Sequence, residues 1–261
     1  MNAARKTGYI ALLDVLGFSE LIARESRNEE LQHYFDAFEG ATQKGVDSVE
    51  YVLFCDTIVI STSSHSDDAL LELLRACSYG MHYLLRAGLP VRGAISHGTY
   101  LRSQTHRGVL IAGSAFIEAY RFEKAQNWVG ILVAPSVLRF FPRLKELCAT
   151  IPTGLLNADQ KYDFAQRLEW AMKVQPCHAI PWHVNNPVGH DVLDGYAVIP
   201  TSPDWDPLAM ANGLSSICDY LKNQRLLASD PSAQRKYDAP LEWITNLKLD
   251  WEAVALLSSN P

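Results

Sequence analysis

The chain is short of several things that would place it elsewhere. Its five cysteines, Cys55, Cys77, Cys148, Cys177 and Cys218, are scattered, odd in number and never spaced as Cys-x-x-Cys. That argues against a disulfide framework and for reduced thiols in a cytosolic protein. Positive charge is not in excess: 23 Lys and Arg stand against 29 Asp and Glu, a formal net charge of -6. Broad nucleic-acid binding is thereby disfavoured, while a local basic pocket is not. No apolar run approaches the ~18 residues that cross a bilayer, so no membrane partner is expected. The N-terminal residues 1–7 lead straight into a strand and carry no signal-peptide core. There is no Walker loop, dinucleotide fingerprint, Gly-x-Ser-x-Gly elbow or His-Glu-x-x-His, no internal repeat and no low-complexity tract.

What is present is an ordinary globular composition, 48% hydrophobic and 20% charged over 261 residues. That length suits one large domain, or a smaller domain with an extension. Periodicity predicts a strand at 9–14, a helix over about 20–44, strands at 49–55 and 58–62, and a helix opened by Asp67 that runs to about Ala87. Strands follow at 91–98 and 109–112, then a helix from Gly113-Ser114 to about Lys124 and a strand at 129–134. The opening order is βαββαβ, which predicts an α+β fold: a ferredoxin-like antiparallel sheet with helices. After about Pro142 the texture changes. Helical patterns cover 159–174, 207–227 and 240–257, and a proline-rich stretch between them holds strand pieces at 182–184 and 196–198. We therefore expect a core over 1–142 and a mostly helical extension over 143–261, packed on that core.

Two stretches suggest chemistry. Ala11-Leu12-Leu13-Asp14-Val15-Leu16-Gly17-Phe18-Ser19 is an apolar strand that ends in one acid and a glycine turn. Tyr51-Val52-Leu53-Phe54-Cys55-Asp56-Thr57-Ile58-Val59-Ile60 is two apolar runs joined at another acid. An unpaired carboxylate in a buried run is costly. Each acid alone reads as a turn former or cap. Brought to one sheet edge, the two could share two divalent cations. The turn Leu16 to Ser19 would offer backbone N–H groups to phosphate oxygens. His178, His183, His190 and Asp191 have no zinc-like spacing and are set aside.

Four motifs in order carry a family resemblance over about residues 8–135. Asp14-Val15-Leu16-Gly17-Phe18 resembles the first metal motif of the class III nucleotidyl cyclases, and Cys55-Asp56-Thr57 the second. Val91-Arg92-Gly93-Ala94-Ile95-Ser96-His97-Gly98 is similar to their Arg-x-Gly-Ile-His-x-Gly strand. Gly113-Ser114-Ala115-Phe116-Ile117-Glu118-Ala119-Tyr120-Arg121-Phe122-Glu123 resembles their Gly-x-x-Val-Asn-x-Ala-x-Arg-Leu-Glu helix. The resemblance implies attack of a ribose 3′-oxygen on the α-phosphorus of a nucleoside triphosphate, with loss of pyrophosphate. It assigns the metals, Mn²⁺ or Mg²⁺, to Asp14 and Asp56 with the Val15 carbonyl. Phosphate and substrate contacts fall to Phe18, Ser19, Thr57 and Arg92, and charge neutralisation to Arg121. For Arg92 a salt bridge within the sheet is an equal reading.

The departures from the motifs are as informative. The adenine-reading Lys of the family is Val52 here, and its acidic partner is Leu110; neither makes the hydrogen bonds that select adenine. The helix Asn is Ile117. Intact metal acids with an altered base pocket resemble the pyrimidine cyclases of the bacterial Pycsar antiphage systems. That likeness implies UTP or CTP as substrate, Tyr51 against the ring, a cytoplasmic homodimer with shared active sites, and a cyclic product that acts on a separate effector protein. Tyr51 as plain strand core is the rival for that residue. For the whole chain the rivals are a purine cyclase and an inactive cyclase-like module that senses nucleotide or dimerises.

Overall fold

The computed structural model describes residues 5–18, 32, 34–36, 38–39, 48–105, 108–144, 179–182, 195–198, 200, 206–228 and 230–258. Strand β1 (Arg5–Val15) is central, with β3 (Thr57–Thr62) on one side and β4 (Val91–Thr105) on the other, both antiparallel. It is buried from Gly8 to Leu13, which is why it reads as an unbroken apolar run rather than an alternating one. Strand β2 (Val49–Phe54) pairs with β3 through a two-residue loop, Cys55-Asp56. Cys55 has φ +57, and short hairpin loops call for that left-handed conformation. The order β2-β3-β1-β4 is the ferredoxin-like arrangement that the βαββαβ pattern predicts.

Helix α1 (Asp67–Arg86) separates β3 from β4. Its N-cap is Ser66 rather than the expected Asp67: the Ser66 hydroxyl accepts from the Ala69 N–H at 3.2 Å, while Asp67 and Asp68 sit in the first turn, where the helix dipole favours acids. Strand β4 outruns the expected 91–98 because its second half pairs with β5 (Gly108–Gly113). Helix α2 (Ser114–Ala125) springs directly from β5. At their junction Gly113 has φ +151, and a Cβ there would sit 2.4 Å from the Thr99 oxygen, so no other residue fits.

Strand β6 (Gly130–Val133) follows and lies parallel to β4, so the expected ferredoxin-like antiparallel sheet carries a parallel pair. The cause is topological: the α2 crossover returns the chain in the direction of β4. A short α3 (Pro135–Phe140) comes next. Strands β7 (Ala179–Trp182) and β8 (Gly195–Val198) then extend the same sheet, to the order β2-β3-β1-β4-β6-β8-β7. Helices α4 (Pro207–Leu227) and α5 (Pro231–Ser258) pack against each other. Helix α5 starts earlier than the expected 240 because Pro240 lies inside it. Of the expected helix at 20–44, the described residues are helical. The expected helix at 159–174, the strand residues 183–184 and the set-aside His178, His183, His190 and Asp191 lie outside the described residues.

The two faces of the sheet are covered differently. Leu13, Val15, Ile58 and Ile60 join α1, α4 and α5 in the large core, which also holds Trp128, Trp243 and Trp251. Ile10, Leu12, Val59 and Tyr100 meet Ala115 and Ala119 of α2 in a smaller cluster. Alternation along each strand thus sorts every residue to the α1 face or the α2 face.

Candidate active site

Asp14 and Asp56 come together through the backbone. Asp14 is opposite Thr57 of β3 and Arg92 of β4. One residue back from Thr57, the Asp56 carbonyl accepts from the Val15 N–H at 2.9 Å. The two acids that the sequence singles out are therefore neighbours at one edge of the sheet. Asp14 shares the phase of Ile10 and Leu12, so its carboxylate is on the α2 face, with its side chain 16% exposed.

That carboxylate has company. Arg92 Nη2 donates to its Oδ2 at 3.1 Å, and Lys124 Nζ is 3.8 Å from its Oδ1. The same guanidinium reaches Glu123 Oε1 through Nε at 2.7 Å and the Gln126 carbonyl through Nη1 at 3.0 Å. Glu123 is fully buried, and a buried charge persists only when paired in this way. All three Arg92 nitrogens are engaged inside the chain, in the manner of a sheet salt bridge. Sequence reasoning missed the roles of Glu123 and Lys124. The signal was there: Ala115, Ala119 and Glu123 recur every four residues, and an acid in an apolar stripe asks for a buried cation.

Asp56 is half-buried and pairs with no cation among the described residues. The Thr57 hydroxyl lies 3.4 Å from its Oδ1. Beside the loop, Tyr34 donates to the Cys55 carbonyl at 3.0 Å and packs on Phe18, with ring centroids 5.1 Å apart. Burial first, and then the neighbouring acidic groups Asp56 and Cys55, push the Tyr34 phenol well above its ordinary range. Tyr34 therefore stays neutral and serves as a prop for the hairpin.

Two carboxylates and a backbone carbonyl form an all-oxygen donor set, which suits Mg²⁺ or Mn²⁺. The half-buried, uncompensated Asp56 beside Asp14 fits such an ion. Lys124, 48% exposed, is the readily displaced partner. The Val15 side chain is in the core and its N–H is engaged, so only its carbonyl could take part. Among the described residues no three His, Cys, Asp or Glu side chains converge. Any remaining coordination would fall to phosphates and water.

The turn after β1 is held by Leu16 N–H donating to the Pro90 carbonyl at 2.8 Å. Gly17 has φ +77, which accounts for the glycine, and Phe18 is the first helical residue. Ser19 lies outside the described residues.

Other expected site residues lie elsewhere. Tyr51 packs into the large core on the α1 face, edge-on to Phe38 at 6.3 Å. Its hydroxyl is buried without a partner among the described residues, and burial chiefly pushes its pKa up. The structure does not bring it to the face of Asp14. Val52 does lie on the α2 face, packed with Ile111 and Phe116. Leu110 pairs with Ser103 and so has the opposite phase. The residue that shares Val52's face is Ile111. Also on this face are polar groups not singled out in the sequence: Glu50 lies 2.5 Å from Arg102 Nη1 and 3.7 Å from Lys6 Nζ. Arg121 is exposed on α2, one turn after Ile117, with no ion pair among the described residues. The stretch turns outward there, while Glu123 turns inward to Arg92.

No protein-family model and no curated protein matches the chain. Among solved structures it is similar to the catalytic core of a rhodopsin-guanylyl cyclase with converted specificity in complex with ATPalphaS, at 11% identity and TM-score 0.47, over 76% of this chain and 98% of that one. The guanylyl cyclase Cya2 matches at 12% identity and TM-score 0.46, over 79% and 98%. The monomeric guanylyl cyclase domain of the RhoGC fusion protein from the aquatic fungus Blastocladiella emersonii matches at 14% identity and TM-score 0.44, over 54% and 89%.

Proposed function

We propose that the chain is a metal-dependent nucleotide cyclase that converts a pyrimidine triphosphate, UTP or else CTP, to its 3′,5′-cyclic monophosphate and pyrophosphate. The observation that carries the reading is the Val15 N–H to Asp56 carbonyl bond, which sets Asp56 beside Asp14 at the end of β1. Bound divalent cations would supply charge neutralisation and acidify the ribose 3′-hydroxyl. Asp14 and Asp56, with the Val15 carbonyl, would hold them. The backbone N–H groups of Phe18 and Ser19 would orient phosphate oxygens, and Thr57 lies opposite Asp14. Arg92 holds Asp14 in place rather than touching substrate. The 3′-oxygen then forms its bond to the α-phosphorus as the bond to pyrophosphate breaks, and the hydroxyl proton leaves to water.

Arg121 is exposed on α2, on the side of the helix opposite the buried Glu123, so it is suited to neutralise the leaving pyrophosphate in a second copy of the chain. Ile117 and Tyr120, half-exposed beside it, and Leu110, 60% exposed, supply an apolar surface for a homodimer. For the base, Val52 and Ile111 offer no hydrogen bonds, which disfavours an adenine edge. Polar contacts to a pyrimidine are available from Glu50 and Arg102 farther along the same face. The Pycsar likeness extends the proposal to a cytoplasmic enzyme of antiphage defence whose product acts on a separate effector. A second reading, an inactive nucleotide-sensing module, draws on Ile117 and on the pairing of Asp14 with Arg92 and Lys124.

Incubation of the chain with each of the four ribonucleoside triphosphates and Mn²⁺ or Mg²⁺, read by mass spectrometry, tests the proposal. Cyclic UMP or cyclic CMP should form at least about tenfold faster than any purine product, a difference of ~1.4 kcal/mol in the barrier. Asp14→Asn and Asp56→Asn should each abolish it. A purine product at equal rate overturns the substrate assignment, and no product from any triphosphate overturns the cyclase.

A further inference from the structure

On the face of the sheet opposite the Asp14 carboxylate, α4 and α5 meet the β1 turn and the α1–β4 connection around a cavity of about 670 Å³. That is the size of a small-molecule site. One wall is Gly17, Phe18 and Pro90; the other is Tyr220, Gln224, Lys236 and Tyr237. Tyr220 ties the walls together by donating to the Gly88 carbonyl at 2.9 Å. Two polar side chains in the lining are idle. Lys236 is half-buried yet pairs with no carboxylate among the described residues, and the Gln224 amide makes no hydrogen bond among them. Asp230 at the rim makes no ion pair with Lys236; its Oδ1 caps α5, accepting from the N–H groups of Ser232 and Ala233 at 2.8 and 2.9 Å.

A half-buried ammonium without a counter-charge among the described residues points to an anionic occupant. The cavity is far larger than a phosphate ion, and its tyrosines and amide suit a planar ring with a polar edge. We propose that this cavity binds a nucleoside monophosphate, linear or cyclic. Lys236 takes the phosphate, Gln224 the edge of the base, and the tyrosine rings its faces. The inference goes beyond the proposed activity and does not depend on it, since none of the side chains it assigns to the ligand lies on the α2 face.

Calorimetric titration of the full chain with cyclic UMP, UMP, cyclic AMP and inorganic phosphate tests it. At least one nucleotide should bind saturably at one per chain, with Kd below about 1 mM and tighter than phosphate. Lys236→Gln and Gln224→Ala should each weaken it at least about tenfold, or ~1.4 kcal/mol. Lys236→Arg should keep most of it, and Asp56→Asn should leave it unchanged. Tighter binding of cyclic UMP than UMP marks the cyclic form as occupant, and the reverse marks the linear one. No saturable binding, phosphate binding as tightly as any nucleotide, indifference to Lys236→Gln in a chain that melts like wild type, or loss on Asp56→Asn would each overturn the proposal. Because the Asp56→Asn chain is itself titrated, absence of cyclase turnover does not touch this result.

Discussion

Arg92 bridges Asp14 and Glu123: Nη2 is 3.1 Å from Asp14 Oδ2 and Nε is 2.7 Å from Glu123 Oε1. One contact reaches the site edge and the other a fully buried acid, so the guanidinium couples the fold's stability to the position of Asp14. Arg92→Ala should leave Glu123 only the half-exposed Lys124, 3.4 Å from its Oε2, and cost about 3 kcal/mol, by the usual penalty for breaking a buried pair. The double variant Arg92→Ala/Glu123→Gln should recover a good part of that loss without recovering activity. Urea unfolding and turnover on the same samples check both. If Arg92→Ala unfolds at the wild-type midpoint, the bridge does not hold the structure.

Tyr51 lies on the α1 face with its hydroxyl unpartnered among the described residues. Removing an unsatisfied buried hydroxyl costs little and can stabilise. Tyr51→Phe should therefore keep wild-type turnover and stability to within about 0.5 kcal/mol, or gain slightly. A large rise in KM would show that the hydroxyl reads the base after all.

The β2–β3 hairpin, the order β2-β3-β1-β4 and the approach of Asp14 to Asp56 were legible because they follow from local periodicity and from acids that interrupt apolar runs. Facing was less so. Tyr51 and Val52 are adjacent in sequence, yet one is in the large core and the other under α2. Strand phase decides that, and no motif records it. Leu110 stood in for Ile111 for the same reason: spacing to the helix motif does not record which face of the β4–β5 pair a residue takes, and Leu110 pairs with Ser103 while Ile111 pairs with Arg102. The joining of β7 and β8 to the sheet depends on long-range pairing. The pattern marks such strands but not their partners. Pro240 read as a helix start, because the packing of α5 on α4 that overrides a proline is a tertiary effect.

His82 sits in α1 under α4, close enough that a Cβ on Gly213 would lie 3.1 Å from its Cε1. Its Nδ1 is buried without a partner among the described residues. Burial first, and Arg86 second, lower its pKa to about 4. A depressed histidine pKa means that the unfolded chain binds the proton more readily. The stability from neutral His82 is therefore complete above about pH 6.5 and is lost as pH falls towards 4, up to ~3 kcal/mol. Burial lowers His97 too, so the wild-type slope is not His82's alone. His82→Gln isolates it: unfolding free energy should fall less between pH 7 and pH 4.5 in the variant, by about 2 kcal/mol. Equal slopes in the two proteins would remove His82 from the account.

Arg121 faces outward while Asp14 and Asp56 are gathered at the end of β1, so a complete site would need Arg121 from a partner copy. A two-fold dimer would then hold two equivalent composite sites. Asp56→Ala and Arg121→Ala chains should each be inactive alone. When they are unfolded together and refolded at equal amounts, about half of the dimers are mixed, as random pairing requires. In a mixed dimer one site collects both lesions and the other neither, so about a quarter of wild-type activity should return. If Arg121 serves the Asp56 of its own chain, every site carries a lesion and nothing returns. Native mass spectrometry resolves the mixed dimer by mass, which separates failure to pair from failure to complement. Mixed dimers without activity would place Arg121 in its own chain's site, and an Arg121→Ala chain that is active alone would place it outside the site.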